Sequence, residues 1–267
     1  MTSATPRPET APLSVCVLAS GSRGNAVYIS DGTTSILLDA GLSGKEIQHR
    51  MQRRSLDPSS LTALLVSHEH NDHVHGVGVL ARRYGLPVYI SRKTLQTAAA
   101  NLGRVDRFEH FVCGTDFRIG GLRLHPFSTS HDAADPAGFT IRSNGLKIGI
   151  ATDLGTAPGM VRHHLQDCRM VILEANHDPT MLEEGPYPWP LKQRVKSRTG
   201  HLSNDESGRL LQTLQHERLE FVVLAHLSET NNTPALALET VSRAITCCRP
   251  RLLVADQHRP GELLSLR

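Results

Sequence analysis

The run His68-Glu69-His70-Asn71-Asp72-His73 places three imidazoles and the Asp72 carboxylate within six residues. It follows an apolar stretch, Leu61 to Val66, and precedes an amphipathic one, Val74 to Tyr84, so a strand hands over to a helix at this point. In an extended segment alternate side chains point the same way, which lets His68 and His70 reach one metal from one side. Asp72 and His73 turn toward a second position as the helix begins. This mixed nitrogen and oxygen set suits zinc, and also manganese or iron.

A lone H-x-H pair carries little weight, because surface histidines are common. Three further residues strengthen the reading: His131 in Ser128-Thr129-Ser130-His131-Asp132, Asp153 in Ala151-Thr152-Asp153-Leu154, and His226 in Leu224-Ala225-His226-Leu227-Ser228. Each follows a strand-like segment. Taken singly each reads as an ordinary loop residue, whereas together they complete two coordination spheres.

The order of these residues resembles the metallo-β-lactamase superfamily, with Asp39 in Leu38-Asp39-Ala40-Gly41 matching its first aspartate. The resemblance implies a first metal on His68, His70 and His131, a second on Asp72, His73 and His226, and Asp153 between them. Asp39 would support the ligand loop without touching metal. A narrower likeness, to the YycJ/WalJ group of bacterial proteins, spans nearly the whole chain. It rests on Leu18-Ala19-Ser20-Gly21-Ser22-Arg23-Gly24-Asn25-Ala26, Glu174-Ala175-Asn176-His177-Asp178, Tyr187-Pro188-Trp189, Thr199-Gly200-His201-Leu202-Ser203-Asn204, and His226-Leu227-Ser228 with Asn231-Asn232. That group is associated with 5'-to-3' exonuclease activity on DNA, and its relatives include tRNase Z, RNase J and the phosphodiesterase PhnP.

The resemblance to tRNase Z and PhnP gives His201 a role in proton transfer; the plainer account is that it orients the helix after it, for which Ser203 or Asn204 is a fitting N-cap. The turn Ser20 to Asn25 lacks the Lys-Ser/Thr ending of a P-loop and leads into a strand, so it reads as a tight turn beside the cleft, from which Arg23 could reach substrate phosphate. The remaining histidines read as surface or packing residues, His177 beside Glu174 excepted.

Working outward, Ser14 to Ala19, Ala26 to Ser30 and Ile36 to Leu38 read as a β-meander, then helix over Leu42 to Met51. Strand signals recur at Pro87 to Ile90, Leu122 to Phe127, Phe139 to Ser143, Lys147 to Ala151, Met170 to Leu173, Leu219 to Leu224 and Leu252 to Ala255. Helices are expected at Pro158 to His164, Ser203 to His216 and Pro234 to Cys247. Two successive halves of strands then helices suit an α+β, four-layer αβ/βα sandwich. No Gly-, Ser- or Pro-rich linker divides them. The expected layout is a flexible N-terminus over 1–13 and a single domain over 14–267.

Composition sets the limits. Hydrophobic residues make up 39% and charged residues 21%, ordinary globular values. Aromatics at 4% argue against a broad stacking platform for single-stranded bases. A net charge of +3 does not by itself mark a nucleic-acid binder. Two local basic groups, Arg50 with Arg53 and Arg54, and Lys192 with Arg194, Lys196 and Arg198, read first as solvated surface. Five cysteines without C-x-x-C spacing point to reduced thiols. With no signal-like or membrane-spanning stretch, a cytoplasmic location and no membrane partner are expected.

The expected chemistry is phosphodiester hydrolysis by a hydroxide bridging two divalent ions (zinc or manganese, with iron as a third choice), with Asp72 orienting it and His201 protonating the leaving oxygen. DNA is the expected substrate, and a small phosphodiester of the PhnP kind is the alternative. Absence of a large insertion after Asp153 and of a long Gly-rich arm argues against RNA processing. A purely structural metal site would be closed by four ligands, and His70 stands where the di-iron redox relatives carry Glu. Oligomeric state is left open, with a homodimer as one arrangement.

Overall fold

A computed structural model describes residues 12–266 of the chain. Most of the expected loose N-terminus, residues 1–11, lies outside the described residues; Leu13 already belongs to a strand and pairs with Leu266. Strands β1 (Leu13–Ala19), β2 (Ala26–Ser30) and β3 (Ser35–Leu38) form an antiparallel meander. Helix α1 (Gly44–Gln52) leads to β4 (Ala63–Leu65), α2 (Asn71–Val74) and α3 (Val77–Tyr84) lead to β5 (Val88–Tyr89), and α4 (Arg92–Leu102) leads to β6 (Phe108–Glu109). The β3 to β6 neighbours are parallel, as helical crossovers require.

The second half has the same logic. Strands β7 (Phe117–Ile119), β8 (Leu122–Ser128), β9 (Ala137–Ser143) and β10 (Leu146–Ala151) run antiparallel. Then come α5 (Gly159–Leu165), β11 (Met170–Glu174), α6 (Pro179–Glu184), α7 (Trp189–Lys196), α8 (Asn204–Leu214), β12 (Phe221–Ala225), α9 (Pro234–Ser242) and β13 (Arg251–Val254), with parallel pairing from β10 to β13. The last strand, β14 (Leu264–Leu266), returns to β1, giving sheet orders β14-β1-β2-β3-β4-β5-β6 and β13-β12-β11-β10-β9-β8-β7.

Strand alternation sorts the apolar side chains into three layers of core. Val15, Val17, Ile36 and Leu38 face Leu124, Phe139, Ile141, Ile148, Ile150 and Ile172 between the sheets. Their neighbours Cys16, Leu18 and Leu37 pack outward on Ile47, Met51, Leu80 and Ala98 of the first helical layer. On the far side Val171, Leu173, Val222 and Leu224 meet Val161, Leu165, Leu211 and Val241. This is the αβ/βα sandwich of the metallo-β-lactamase fold. Each fully buried Leu, Ile or Phe contributes about 1.5–3 kcal/mol relative to exposure, and strands apolar on both faces are stable only when covered twice.

Several segments differ from the sequence reading. The helix expected over Val74 to Tyr84 breaks at Gly76, whose backbone packs so closely on Leu42 that a Cβ there would lie 2.2 Å from the Leu42 carbonyl oxygen. The helix expected to reach Cys247 stops at Ser242, because the amides of Thr246 and Cys247 turn back to donate to Gln215 Oε1. Arg50 is no surface cation: its buried guanidinium donates to the carbonyls of Leu18 and Gln257 and to Glu46. The five cysteines are free, as expected, and among the described residues no helix is long and apolar enough to cross a membrane.

Candidate metal centre

The strands of both sheets deliver their C-terminal ends to one edge of the sandwich: β3 gives Asp39, β4 the run from His68 to His73, β8 His131, β10 Asp153, β11 Glu174 and β12 His226. Asp39, Asp153 and His226 each adopt left-handed backbone, with φ of 59°, 56° and 57°. That conformation costs about 1–2 kcal/mol for a non-glycine residue. Here it turns each side chain out of strand alternation and toward a common centre, the kind of strain that functional sites retain.

All seven residues expected as ligands converge in two groups. In the first, His70 Nδ1 lies 3.1 Å from His68 Nε2 and 3.2 Å from His131 Nε2. A tetrahedral zinc with bonds of about 2.0–2.1 Å spreads its ligands roughly 3.3 Å apart, so the nitrogen triangle has the right size. In the second, Asp72 Oδ2 lies 3.5 Å from His73 Nε2 and 3.6 Å from His226 Nε2. Asp153 stands between the groups, with Oδ1 3.6 Å from His131 Nε2 and Oδ2 3.3 Å from His73 Nε2.

The opposite nitrogens are anchored. His73 Nδ1 lies 2.8 Å from Asp39 Oδ2, and the same carboxylate accepts the Ser67 amide and hydroxyl, each at 2.8 Å. His68 Nδ1 lies 3.0 Å from Ser67 Oγ, His131 Nδ1 3.2 Å from the Gly200 carbonyl, and His226 Nδ1 2.8 Å from Glu174 Oε1. Tying one ring nitrogen fixes the tautomer and aims the other, as around metal-bound histidines. Asp39 therefore holds His73 from the side away from the cluster.

Whether divalent ions suit these residues is decided by what is left unsatisfied. Asp153 Oδ2 and His226 Nε2 are buried without a hydrogen-bond partner, a costly state that a cation relieves. Charge points the same way. Burial disfavours an ionised Asp153, yet His226 and His73 hold its carboxyl well below the usual range. Burial likewise opposes the charge on His73, but Asp153, Asp39 and Asp72 keep it protonated well above the ordinary imidazole value. Against the same burial cost, Asp153, the neighbouring Asp72 carboxylate and the hydrogen bond to Glu174 raise His226. Asp72, too, is lowered against burial, by His73 and by the imidazole of His226 beside it. His68, with burial dominant and His73 beside it, stays neutral. The buried carboxylates demand positive charge at the centre, which side chains alone meet only by protonation. The donor set fits a metal pair.

His201 lies at the rim and lines a cleft of about 160 Å³ with Ser22, Asp132, Tyr187, Arg194 and Ser228. Its Nδ1 is 2.8 Å from Glu174 Oε1, the oxygen that also meets His226. Glu174 Oε2 accepts the amides of Leu154 and Leu202. Burial works against ionisation of Glu174, and His201 and His226 outweigh it, holding the carboxyl below its usual range. The sequence reading assigned Glu174 no role; the available signal was a carboxylate closing an apolar strand. It also missed Asn25, which reaches from the Gly-rich turn to Asp72, with its amide donating to the Asp72 carbonyl at 2.8 Å and its side chain 3.3 Å from Asp72 Oδ2.

The other candidates fall outside the two groups. Arg23 is 71% exposed and paired with Glu229 at 2.6 Å. His177 is buried, bridges to Ser203, and has an Nδ1 without a partner. In the second basic group, Arg194 is paired with Asp132 and Lys196 with Glu183.

The fold and this edge of the sandwich define a protein of metallo-β-lactamase architecture, and the overall likeness to YhfI from Bacillus subtilis agrees, with a TM-score of 0.75 at 16% identity over 95% of this chain and 99% of that one. Residues 34–226 match the Beta-lactamase superfamily domain. The chain is 35% identical over 231 residues to exodeoxyribonuclease YycJ of Bacillus anthracis, covering 86% of this chain and 88% of the relative. It is 37% identical over 229 residues to exodeoxyribonuclease WalJ of Streptococcus pneumoniae serotype 2, covering 84% and 85%. The chain belongs to the β-lactamase superfamily, in the group of YycJ and WalJ, and is a hydrolase of that superfamily.

Proposed function

We propose that this hydrolase is a metal-dependent phosphodiesterase acting on DNA, a 5'-to-3' exonuclease of the YycJ/WalJ type. The observation that carries the reading is the pair of ligand groups sharing Asp153, in a chain similar over most of its length to proteins named exodeoxyribonucleases. His68, His70 and His131 would hold one divalent ion, Asp72, His73 and His226 the other, and Asp153 both; zinc and manganese suit the donors. When bound, such a pair activates a water, polarises the phosphoryl oxygen and stabilises charge on the leaving oxygen.

The protein's own part is positioning and proton transfer. Asp72, held by Asn25, orients the attacking group from one side. His201 holds its Nδ1–H on Glu174, so its Nε2 is the nitrogen left to deliver a proton to the leaving alkoxide. Glu174 ties this acid to the His226 ligand through one oxygen, fixing their spacing.

The deciding assay presents manganese-loaded protein with 5'-phosphorylated duplex DNA, single strands, RNA and bis(p-nitrophenyl) phosphate. Mononucleotide release from the 5' end of DNA is the expected result. Turnover of the small diester alone would replace this reading with a small-molecule phosphodiesterase.

A further inference from the structure

Away from the histidine cluster, a cavity of about 320 Å³ opens between the outer face of the second sheet and α5, lined by Arg123, His125, Arg142, Lys147, His164 and Asp116 among others. Strand register explains the concentration of charge. Arg123 of β8 pairs with Arg118 of β7 on one side and with Arg142 of β9 on the other, and Arg142 pairs in turn with Lys147 of β10. Directly paired residues share a face, so four permanent cations form a row across four adjacent strands. Their alternating neighbours Leu122, Leu124, Ile141 and Ile148 fill the inter-sheet core, which puts the row on the outer face.

Like charges directly opposite one another destabilise a sheet, and one carboxylate is too little to neutralise four cations. Asp116 is already engaged, with Arg123 Nε at 2.8 Å and His125 Nδ1 at 2.6 Å. Arg118 and Arg142 have no hydrogen-bond or ion-pair partner among the described residues, and His125 Nε2 is buried without one. Lys147 Nζ donates to the Gln166 carbonyl, and burial, to which Arg142 adds, lowers its ammonium from the ordinary value. Guanidinium groups presented side by side match the oxygens of a phosphate.

We propose that this row is a second anion site, separate from the histidine cluster, that binds phosphoryl groups. Lys147 lies four residues before Ala151, the end of β10 that leads to Asp153, about 13 Å at roughly 3.3 Å per residue, so the site does not share its occupant's phosphate with the metal centre. The phosphoryl group can belong to a free mononucleotide, which the cavity is large enough to admit, or to the backbone of a polynucleotide. The site rests on charge placement alone and stands whether or not DNA is the substrate.

The test uses the full-length, metal-loaded protein and two exposed single substitutions, Arg142→Glu and Arg118→Glu. Calorimetric titration with inorganic phosphate and dAMP, and anisotropy of a labelled oligonucleotide, read binding; hydrolysis of bis(p-nitrophenyl) phosphate, expected to stay at the wild-type rate, reports that the fold and the histidine cluster are intact. Loss of about tenfold or more in phosphate and dAMP affinity in Arg142→Glu, with the oligonucleotide unchanged, identifies a free anion. Loss of oligonucleotide affinity with a shallower salt dependence identifies the backbone. Wild-type binding of all three probes by both variants would overturn the proposal.

Discussion

Nδ1 of His201 lies 2.8 Å from Oε1 of Glu174. Because an ionised carboxylate only accepts, the imidazole must donate there, and the tautomer that leaves Nε2 free at the cleft follows from the pair. His226 reaches the same oxygen at 2.8 Å. One buried carboxylate thus sets the proton position on a proposed acid and on a proposed ligand.

Glu174→Gln tests that arrangement. An amide presents one acceptor oxygen where the carboxylate accepts from two imidazoles and two backbone amides, so at least one buried donor loses its partner. Turnover is expected to fall about 10²–10⁴-fold and stability by about 2–4 kcal/mol. Combined with His201→Ala, the loss should be far from additive, since both remove one unit. Steady-state kinetics on the two single variants and the double variant decide it; additive losses would mean that Glu174 acts independently of His201.

His201→Ala should lower DNA turnover about 10²–10⁴-fold while metal content stays at the wild-type ratio. The leaving group separates proton transfer from a structural role. An alkoxide needs a proton as it departs, whereas p-nitrophenolate is stable without one. The variant should therefore lose much less on bis(p-nitrophenyl) phosphate than on DNA. Equal losses on both substrates, measured beside the metal content, would remove His201 as the acid.

Gly41→Ala probes how the loop holding Asp72 is seated. A Cβ at residue 41 would lie 1.6 Å from the Asp72 carbonyl oxygen and 2.7 Å from the Asn25 amide nitrogen, both backbone atoms that cannot rotate away. Overpacking of this kind costs about 1–3 kcal/mol, and displacing Asp72 adds a catalytic loss. Urea denaturation with metal titration should show lower stability together with weaker metal binding. Wild-type affinity in a destabilised variant would mean that the loop adjusts without moving Asp72.

The legible parts of this chain were those written in local pattern. The run from His68 to His73 and the residues His131, Asp153 and His226 stand at strand ends that apolar alternation marks, and the structure brings all of them together. What escaped was short or long-range. Helix α4 was missed although Ser91 caps it, accepting from the Thr94 amide, because Ala-rich Arg92–Leu102 has a weak apolar stripe. Strand β14 is three residues long and finds its partner 251 residues away, at Ser14 and Ser265, so no window reveals it. Helices α6 and α7 start at or beside prolines, which read as breakers although proline suits a helix's first turn. Glu174 gathers partners from three distant loops, and only the folded chain shows that.

Removing metal from the proposed centre should be felt throughout the molecule, because Asp153 stands between the two groups. If divalent ions bind the folded state alone, at about a thousand times Kd each site stabilises by roughly 4 kcal/mol, a shift on the order of 10 °C in the melting temperature. Asp153→Asn keeps the left-handed backbone, which asparagine tolerates, and removes the shared negative charge. Wild-type protein should therefore melt lower after chelation and recover with zinc or manganese, while Asp153→Asn should respond little and bind less than the full complement of metal by elemental analysis. A wild-type thermal response and two metals per chain in the variant would show that the two groups do not depend on Asp153, and the dinuclear reading would lose its central ligand.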